Sequence, residues 1–173
     1  MNQDIIIRDE LPGDTAAIFD LTIDAFRTLE VSDHTEQFVI EALRAAGALP
    51  VSLVAVIDGR IVGHIAFSPV SMSDGTGGWY GLGPVSVVPE LQRQGIGKAL
   101  IGEGLSRLKA LGARGCCLVG HPEYYRKFGF VNPDGLGMEG VPPEVFFALS
   151  FDCNVPTGSV AFHDAFMAHG NRE

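Results

Sequence analysis

The fold is decided by one short stretch of the sequence, Gln92-Arg93-Gln94-Gly95-Ile96-Gly97-Lys98. An apolar run at 82–88 precedes it and predicts a strand, and apolar residues recur at helical spacing from 96 to 111. The two glycines remove side chains where a ligand must approach the backbone closely. The free N–H groups and the dipole of a helix's first turn form an anion site. The stretch therefore predicts a strand–loop–helix junction built for a phosphate or pyrophosphate group.

The sequence around this junction predicts a mixed sheet. An apolar strand at 116–119 follows the helix, and strand–loop–helix–strand within about 40 residues is a βαβ unit with parallel strands. Runs at 51–57 and 61–70 flank Asp58-Gly59, a two-residue hairpin signal that predicts antiparallel strands. The chain is expected to form one domain, with a core at about 5–151 and a C-terminal extension at 152–173.

The remaining elements follow from shorter patterns. We expect Asp14 to cap the first turn of a helix that continues to Phe26. Further predicted elements are a first strand at 5–7, a helix at 36–46, a loop at 71–81, a short helix at 123–128, a surface loop at 133–143, a strand at 145–151 and a last edge strand at 158–162.

Composition excludes several classes of partner. The 173 residues include 12 Lys and Arg against 21 Asp and Glu, a formal net charge of −9, which repels nucleic acid and anionic membrane surfaces. The start of the chain lacks the pattern of a signal peptide, and no apolar run is long enough to span a bilayer. The three cysteines show no spacing typical of zinc sites, and the adjacent Cys116 and Cys117 cannot pair without distortion. We expect a cytoplasmic protein without a metal, in which both of these thiols are buried and unreactive.

The sequence meets the first requirement of two nucleotide-binding motifs but lacks the second requirement of each. A Walker A loop needs Ser or Thr after its Gly-Lys pair, and here Ala99 follows Gly97-Lys98. A dinucleotide fingerprint needs a small residue where Leu100 stands and an acidic residue about twenty positions on, and residues 113–118 contain none. A dinucleotide-dependent oxidoreductase is therefore disfavoured.

Two motifs instead resemble a known family. The pattern Gln/Arg-x-x-Gly-x-Gly/Ala, met by Gln92, Gly95 and Gly97, is similar to the acyl-CoA pyrophosphate loop of the GNAT N-acetyltransferase superfamily. Downstream, Tyr124-Tyr125-Arg126-Lys127-Phe128-Gly129-Phe130 resembles the Tyr-x-x-x-Gly-Phe ending of the same fold. Together with His121-Pro122-Glu123, this segment resembles the corresponding sequence in the uncharacterised bacterial, YhbS-like branch of the superfamily. The strand and helix order matches over about 5–151.

The resemblance implies a fold and an activity. The fold is an α/β, mostly antiparallel mixed sheet of six or seven strands with about four flanking helices, splayed between 82–88 and 116–119 to admit coenzyme A (CoA). The activity is direct transfer of the acetyl group of acetyl-CoA to an amine. The backbone N–H of Val87 would face the thioester carbonyl. The implied CoA-binding residues are Val85, Val87, Gln92, Arg93, Gln94, Gly95, Ile96, Gly97 and Lys98.

The departing thiolate needs a proton, and Tyr125 occupies the position of the family's general acid. Tyrosine has an ordinary pKa of about 10, so it is protonated at neutral pH and can donate. Tyr124 points about 100° elsewhere on a helix and is the weaker candidate. Many relatives carry an Asn shortly before this helix, where the present chain has Gly120-His121-Pro122-Glu123.

The general base, the acceptor and the oligomeric state stay open at this point. Base candidates are Glu30, Asp33, His34, His64 and Glu123. The strand pattern around His64 favours a structural histidine. Trp79-Tyr80 could line an acceptor pocket or cover the sheet edge. A homodimer is compatible with the sequence, and a CoA-binding sensor module without turnover is the alternative to an enzyme.

Overall fold

The computed structural model describes residues 4–30 and 32–169. Its helices are α1 (Thr15–Phe26), α2 (Glu36–Ala45), α3 (Ile96–Ala110) and α4 (Pro122–Tyr125). Its strands are β1 (Ile6–Asp9), β2 (Val51–Ile57), β3 (Arg60–Pro69), β4 (Ser71–Met72), β5 (Trp79–Val87), β6 (Gly115–Val119), β7 (Leu136–Gly137), β8 (Phe146–Ser150) and β9 (Gly158–Ala161). Residues 1–3 and 170–173, which belong to the expected domain, lie outside the described residues.

Six strands form the main sheet in the order β1-β2-β3-β5-β6-β8. All neighbours are antiparallel except β5 and β6, which are parallel and connected through α3. Asp58 and Gly59 join β2 to β3 with positive φ angles of 49° and 78°, as their hairpin motif predicts. The predicted mixed, mostly antiparallel sheet with a central βαβ unit is confirmed.

A second, three-stranded sheet in the order β4-β9-β7 was not predicted. The expected strand at 158–162 is β9, but it lies at the centre of this small sheet, so the prediction of an edge strand is wrong. The predicted loops at 71–81 and 133–143 contain β4, the start of β5 and β7. A strand of two residues is too short to show an alternation of apolar and polar residues, and its pairing depends on segments that are distant in sequence.

The helices cover opposite faces of the main sheet. On one face α3 packs so closely that a Cβ at Gly63 would lie 3.0 Å from side-chain carbons of both Ile96 and Leu100. On the other face α1 and α2 contribute Ile18 and Ile40 to a buried cluster with β2. Because side chains alternate along a strand, each strand sends one set of residues to α3 and the other set to α1 and α2.

Asp14 does not cap α1 as expected. Its side chain makes no hydrogen bond to that helix; instead its carboxylate lies 2.7 Å from Arg8 Nη1 and accepts the N–H of Leu11 at 2.7 Å. The Arg8 guanidinium lowers the pKa of Asp14. The carboxylate thus closes the turn between β1 and α1, because a charged donor in reach outcompetes a neutral helix N–H.

The sheet splits between β5 and β6. The two strands pair only from Trp79 to Gly81, opposite Gly115 to Cys117. Beyond Gly81 a β-bulge interrupts β5. Its residues 82 and 85 pair with β3 residues that are only two positions apart, so Gly83 and Pro84 together lie opposite a single β3 residue. Proline has no N–H to donate to a neighbouring strand. The expected splay is confirmed, and it opens after Gly81.

Cys116 and Cys117 project to opposite faces of β6 and belong to different buried clusters. Both are free and fully buried thiols. Burial raises the pKa of Cys117 to about 12 and raises the pKa of Cys116 well above its ordinary value. The interpretation of both as unreactive core residues therefore agrees with their surroundings.

Candidate active site

A cavity of about 570 Å³ lies beside the gap between β5 and β6. Its lining contains every residue that the sequence assigned to CoA binding except Gln94, whose side-chain amide donates to the Glu90 carbonyl at 3.4 Å. The full lining is Val85, Val87, Leu91, Gln92, Arg93, Gly95, Ile96, Gly97, Lys98, Tyr124, Tyr125 and Lys127. The volume falls in the range of about 300–1,000 Å³ typical of small-molecule sites.

The loop before α3 presents backbone donors to this cavity. Gly95 is the N-terminal cap residue of α3 with a φ of 91°, a left-handed conformation that favours glycine, and no side chain caps the helix. The first intrahelical bond of this turn runs from the Ala99 N–H to the Gly95 carbonyl at 3.0 Å. The N–H groups of residues 96–98 therefore have no partner within the helix and are available to donate to an anionic ligand.

Gly97 permits a close approach between three elements. A Cβ at this position would lie 3.3 Å from Tyr124 Oη and 3.9 Å from a methyl carbon of Val87. The second glycine of the motif thus brings the helix start, the strand and the tyrosine of α4 together around the cavity.

Positive side chains concentrate here in a chain whose net charge is −9. Arg93, Lys98 and Lys127 all line the cavity, and Lys127 Nζ lies 4.1 Å from the centre of the Tyr124 ring. Leu91, Tyr124 and Lys127 were not assigned to the site from sequence. Lys127 stands inside the quoted tyrosine motif, where its charge beside a predicted anion loop was the available signal.

The open edge of β5 carries backbone donors as well. The Val88 N–H donates to the Val62 carbonyl of β3 at 2.9 Å. Because antiparallel residues alternate between paired and unpaired positions, Val87 and Val85 direct their N–H and C=O groups away from β3, into the gap. The Gln92 side-chain amide donates to the Val87 carbonyl at 3.1 Å, which agrees with this orientation.

Tyr125 lines the cavity from the side of α4. Its ring packs edge-on to Phe130 at a centroid distance of 6.2 Å, and a Cβ at Gly120 would lie 2.3 Å from a ring carbon. Gly120, which stands where the segment departs from the family pattern, makes room for this ring. Burial raises the pKa of Tyr125 to about 12, so the hydroxyl keeps its proton at neutral pH.

None of the five candidate bases is among the residues that line the cavity. Four are exposed: Glu30, Asp33, His34 and Glu123. His64 is fully buried, and its Nε2 lies 2.8 Å from Ser52 Oγ.

Trp79 does not line this cavity either. It is the first residue of β5 rather than part of a loop, and it is buried against Gly115. Of the two expected roles, Trp79 therefore has the packing role at the end of the sheet.

Residues 4–30 and 32–169 contain no group of three or more His, Cys, Asp or Glu side chains placed to hold a metal ion. In the same part of the chain, no helix has the length and apolar character needed to cross a membrane.

Comparison with known proteins identifies the family. Residues 50–132 match the model of the acetyltransferase (GNAT) domain. The uncharacterised N-acetyltransferase YhbS of Escherichia coli K12 is 33% identical over 127 residues, which are 73% of each chain.

Solved structures agree over almost the whole chain. A GNAT family acetyltransferase from Brucella melitensis, in complex with acetyl-CoA, has 47% identity and a TM-score of 0.85, covering 95% of this chain and 99% of its own. Escherichia coli YhbS in complex with CoA has 30% identity and a TM-score of 0.86, covering 98% and 96%. The resemblance read from the loop and tyrosine motifs is confirmed, and this chain belongs to the GNAT family of N-acetyltransferases.

Proposed function

We propose that this enzyme transfers the acetyl group of acetyl-CoA directly to an amine, without an acyl-enzyme intermediate. The observation that carries this proposal is the β5 edge, released from β6 after Gly81, whose backbone donors open onto a cavity with an anion site at one end. The acetyl-CoA and CoA complexes of the two similar structures support the choice of co-substrate.

In this proposal the anion site holds the pyrophosphate of CoA. The main-chain N–H groups from Arg93 to Lys98 donate to its oxygens, and Gln92 orients the loop through the Val87 carbonyl. The side chains of Arg93, Lys98 and Lys127 supply positive charge around the same ligand. Backbone donors at a helix N-terminus favour a diphosphate whatever amine is the acceptor.

The β5 edge would take the place of the missing β6 pairing. The pantetheine arm has amide groups that can pair, in the manner of a strand, with the N–H and C=O of Val85 and with the N–H of Val87, whose carbonyl already accepts the Gln92 amide. The N–H of Val87 would then donate to the thioester oxygen as negative charge develops on it. Such a donor, already oriented before reaction, stabilises the tetrahedral intermediate.

Tyr125 acts as the general acid. The amine nitrogen forms a bond to the carbonyl carbon, the C–S bond breaks with its electron pair remaining on sulfur, and the Tyr125 hydroxyl protonates the thiolate. The raised pKa of Tyr125, about 12, ensures that the proton is present over the whole neutral range. The tyrosinate formed is a strong base that is reprotonated before the next turnover.

A thiol-release assay tests the proposal. Acetyl-CoA is incubated with a panel of primary amines comprising an alkylamine, a diamine, a polyamine and a lysine-containing peptide, and free CoA thiol is measured together with the acetylated product. We expect turnover with at least one member. Calorimetric binding of acetyl-CoA without acetyl transfer to any of them would favour the sensor module, and no binding at all would refute the site itself.

A further inference from the structure

A row of buried polar side chains lies on the sheet face that α1 and α2 cover. Ser52, His64, Ser68 and Ser86 are all at least nine-tenths buried. His64 lies opposite Val54, which packs against both helices, and directly opposite Ser86 of β5. Polar groups are seldom buried in such numbers without hydrogen-bond partners. This row has no counterpart on the face covered by α3, where the same strands present apolar residues.

One end of the row is fixed by a carboxylate. The Ser52 hydroxyl donates to Glu10 Oε1, and Arg44 holds the same carboxylate through its Nε at 2.9 Å. Since the single proton of Ser52 is directed to Glu10, its oxygen accepts the Nε2–H of His64 at 2.8 Å. The neutral ring therefore has an unprotonated Nδ1.

The other end of the row is unsatisfied. Among the described residues, His64 Nδ1 and Ser86 Oγ are buried atoms without a hydrogen-bond partner. The Val88 N–H bond to Val62 makes that pair, and by alternation the pair His64 and Ser86, a hydrogen-bonded backbone pair with Cα atoms about 5.5 Å apart. The two unpartnered atoms therefore belong to directly opposed residues on the same face of the sheet.

Ser86 also stands beside the reacting groups. It lies between Val85 and Val87, whose backbone groups face the gap, and its own side chain points to the opposite face of the sheet from the cavity lining. The Ser86 hydroxyl is buried on that face, so contact with the acceptor requires an amine that attacks the thioester from the side opposite α3 and enters beneath the covering helices.

We propose that Ser86 and His64 remove the proton that the acceptor amine must lose, and that Ser52 and Glu10 pass it to solvent. This inference rests on the proposed function. It goes beyond that function because it assigns the base to a buried relay rather than to any of the exposed acidic residues.

The relay balances. An N–H bond of the ammonium breaks with its electron pair remaining on nitrogen, and the proton goes to Ser86 Oγ. The Ser86 proton moves to His64 Nδ1, the Nε2 proton moves to Ser52 Oγ, and the Ser52 proton moves to the Glu10 carboxylate. Glu10 is 15% exposed at its side chain and releases the proton to water. The reverse reorientation of the hydroxyls restores the starting state.

The surroundings of His64 disfavour its protonated form, so a proton that reaches the ring is passed on. Burial lowers the pKa of His64 to about 4, with Glu10 raising it and Arg44 lowering it further. Those two are the charged groups that reach the ring. The neighbouring strands present the hydroxyls of Ser52 and Ser86 on this face, and α3 lies on the other face. An imidazolium is therefore short-lived in this position.

Ser86→Ala tests the relay, with Ser68→Ala as its matched control. Ser68 is an equally buried serine on β3 without a partner for its hydroxyl in the described residues, but it lies opposite Gly81, where β5 and β6 are still paired. For the amine with the highest turnover in the panel, Ser86→Ala should lower kcat/KM by about tenfold to a hundredfold near neutral pH. The loss should shrink as pH approaches the pKa of the amine, which then arrives already deprotonated. Ser68→Ala should change kcat/KM less than twofold.

The hydrogen-bond part of the inference has a readout that needs no turnover. In ¹⁵N spectra of histidine-labelled protein near neutral pH, His64 should give a protonated Nε2 and an unprotonated Nδ1. Ser86→Ala should move the Nδ1 resonance, and Ser68→Ala should not. An Nδ1-protonated ring, or equal kinetic losses in both variants at all pH values, would overturn the relay while leaving acetyl transfer intact. A wild-type protein that acetylates no amine refutes the proposed function and the proton path with it, whatever tautomer the spectra give.

Discussion

Lowering the pH below neutrality should destabilise this protein through one buried histidine. His64 is fully buried, and burial lowers its pKa from 6.5 to about 4. The unfolded chain therefore binds a proton between these values that the folded chain does not, so the free energy of unfolding falls as the pH falls. Between about pH 7.5 and about pH 5 the linkage amounts to about 2 kcal/mol, most of it below the unfolded pKa of His64.

Urea unfolding at a series of pH values measures this effect. Wild type should lose about 2 kcal/mol over that interval, and His64→Gln should lose far less, because glutamine does not titrate. The absolute stability of His64→Gln does not affect the test, since only the slope of its unfolding free energy against pH is compared. His34→Asn is the control: His34 is exposed with a φ of 58°, a conformation that asparagine tolerates, so this variant should keep the wild-type slope. Parallel slopes for wild type and His64→Gln would refute a neutral, desolvated His64.

Three further substitutions test the site and the packing that builds it. Gly97→Glu places a carboxylate beside the anion loop and should raise the Kd for CoA at least about tenfold, or about 1.4 kcal/mol, whereas Gly102→Glu, in open space on the same helix, should leave calorimetric binding unchanged. Tyr125→Phe should lower the single-turnover rate about tenfold to a hundredfold without changing the Kd for acetyl-CoA; an unaltered rate would remove the hydroxyl from the mechanism. Gly104→Ala puts a Cβ 2.2 Å from a ring carbon of Phe67 and should cost about 1–3 kcal/mol in urea unfolding. Gly102→Ala should instead stabilise α3 by about 0.5–1 kcal/mol, so equal effects of the two alanines would contradict the described packing.

The strand–loop–helix junction before α3 could be predicted from sequence because its backbone path is determined locally. Gly95 and Gly97 determine the backbone path within one helical turn, and the donors belong to consecutive residues. The same holds for the hairpin at Asp58-Gly59. Tyr125 was reached through a motif resemblance, because its position beside the loop depends on packing of α4 that one sequence does not encode locally.

What sequence reasoning missed depends on pairing between distant segments. The second sheet joins residues 71–72, 136–137 and 158–161, each too short to show alternation. Asp14 follows the helix-capping pattern, yet Arg8 from β1 takes its carboxylate. The link from His64 through Ser52 to Glu10 crosses two strands and a turn, and no spacing along the chain indicates it.

The bulge in β5 connects the two halves of the proposed chemistry. Without Gly83 and Pro84 in their extra place, the β5–β6 ladder could continue past Gly81 and would occupy the backbone donors that a pantetheine arm needs. The same register decides which side chains reach which face, because the period of a strand is two residues. A slip by one residue would turn Ser86 into the cavity and away from His64, and would direct the Val87 N–H back to β3. The proposed thioester binding and the proposed proton removal are thus not independent: a single register of β5 against β3 supplies donors on the edge, an apolar lining on one face and, on the other, the serine proposed as proton acceptor.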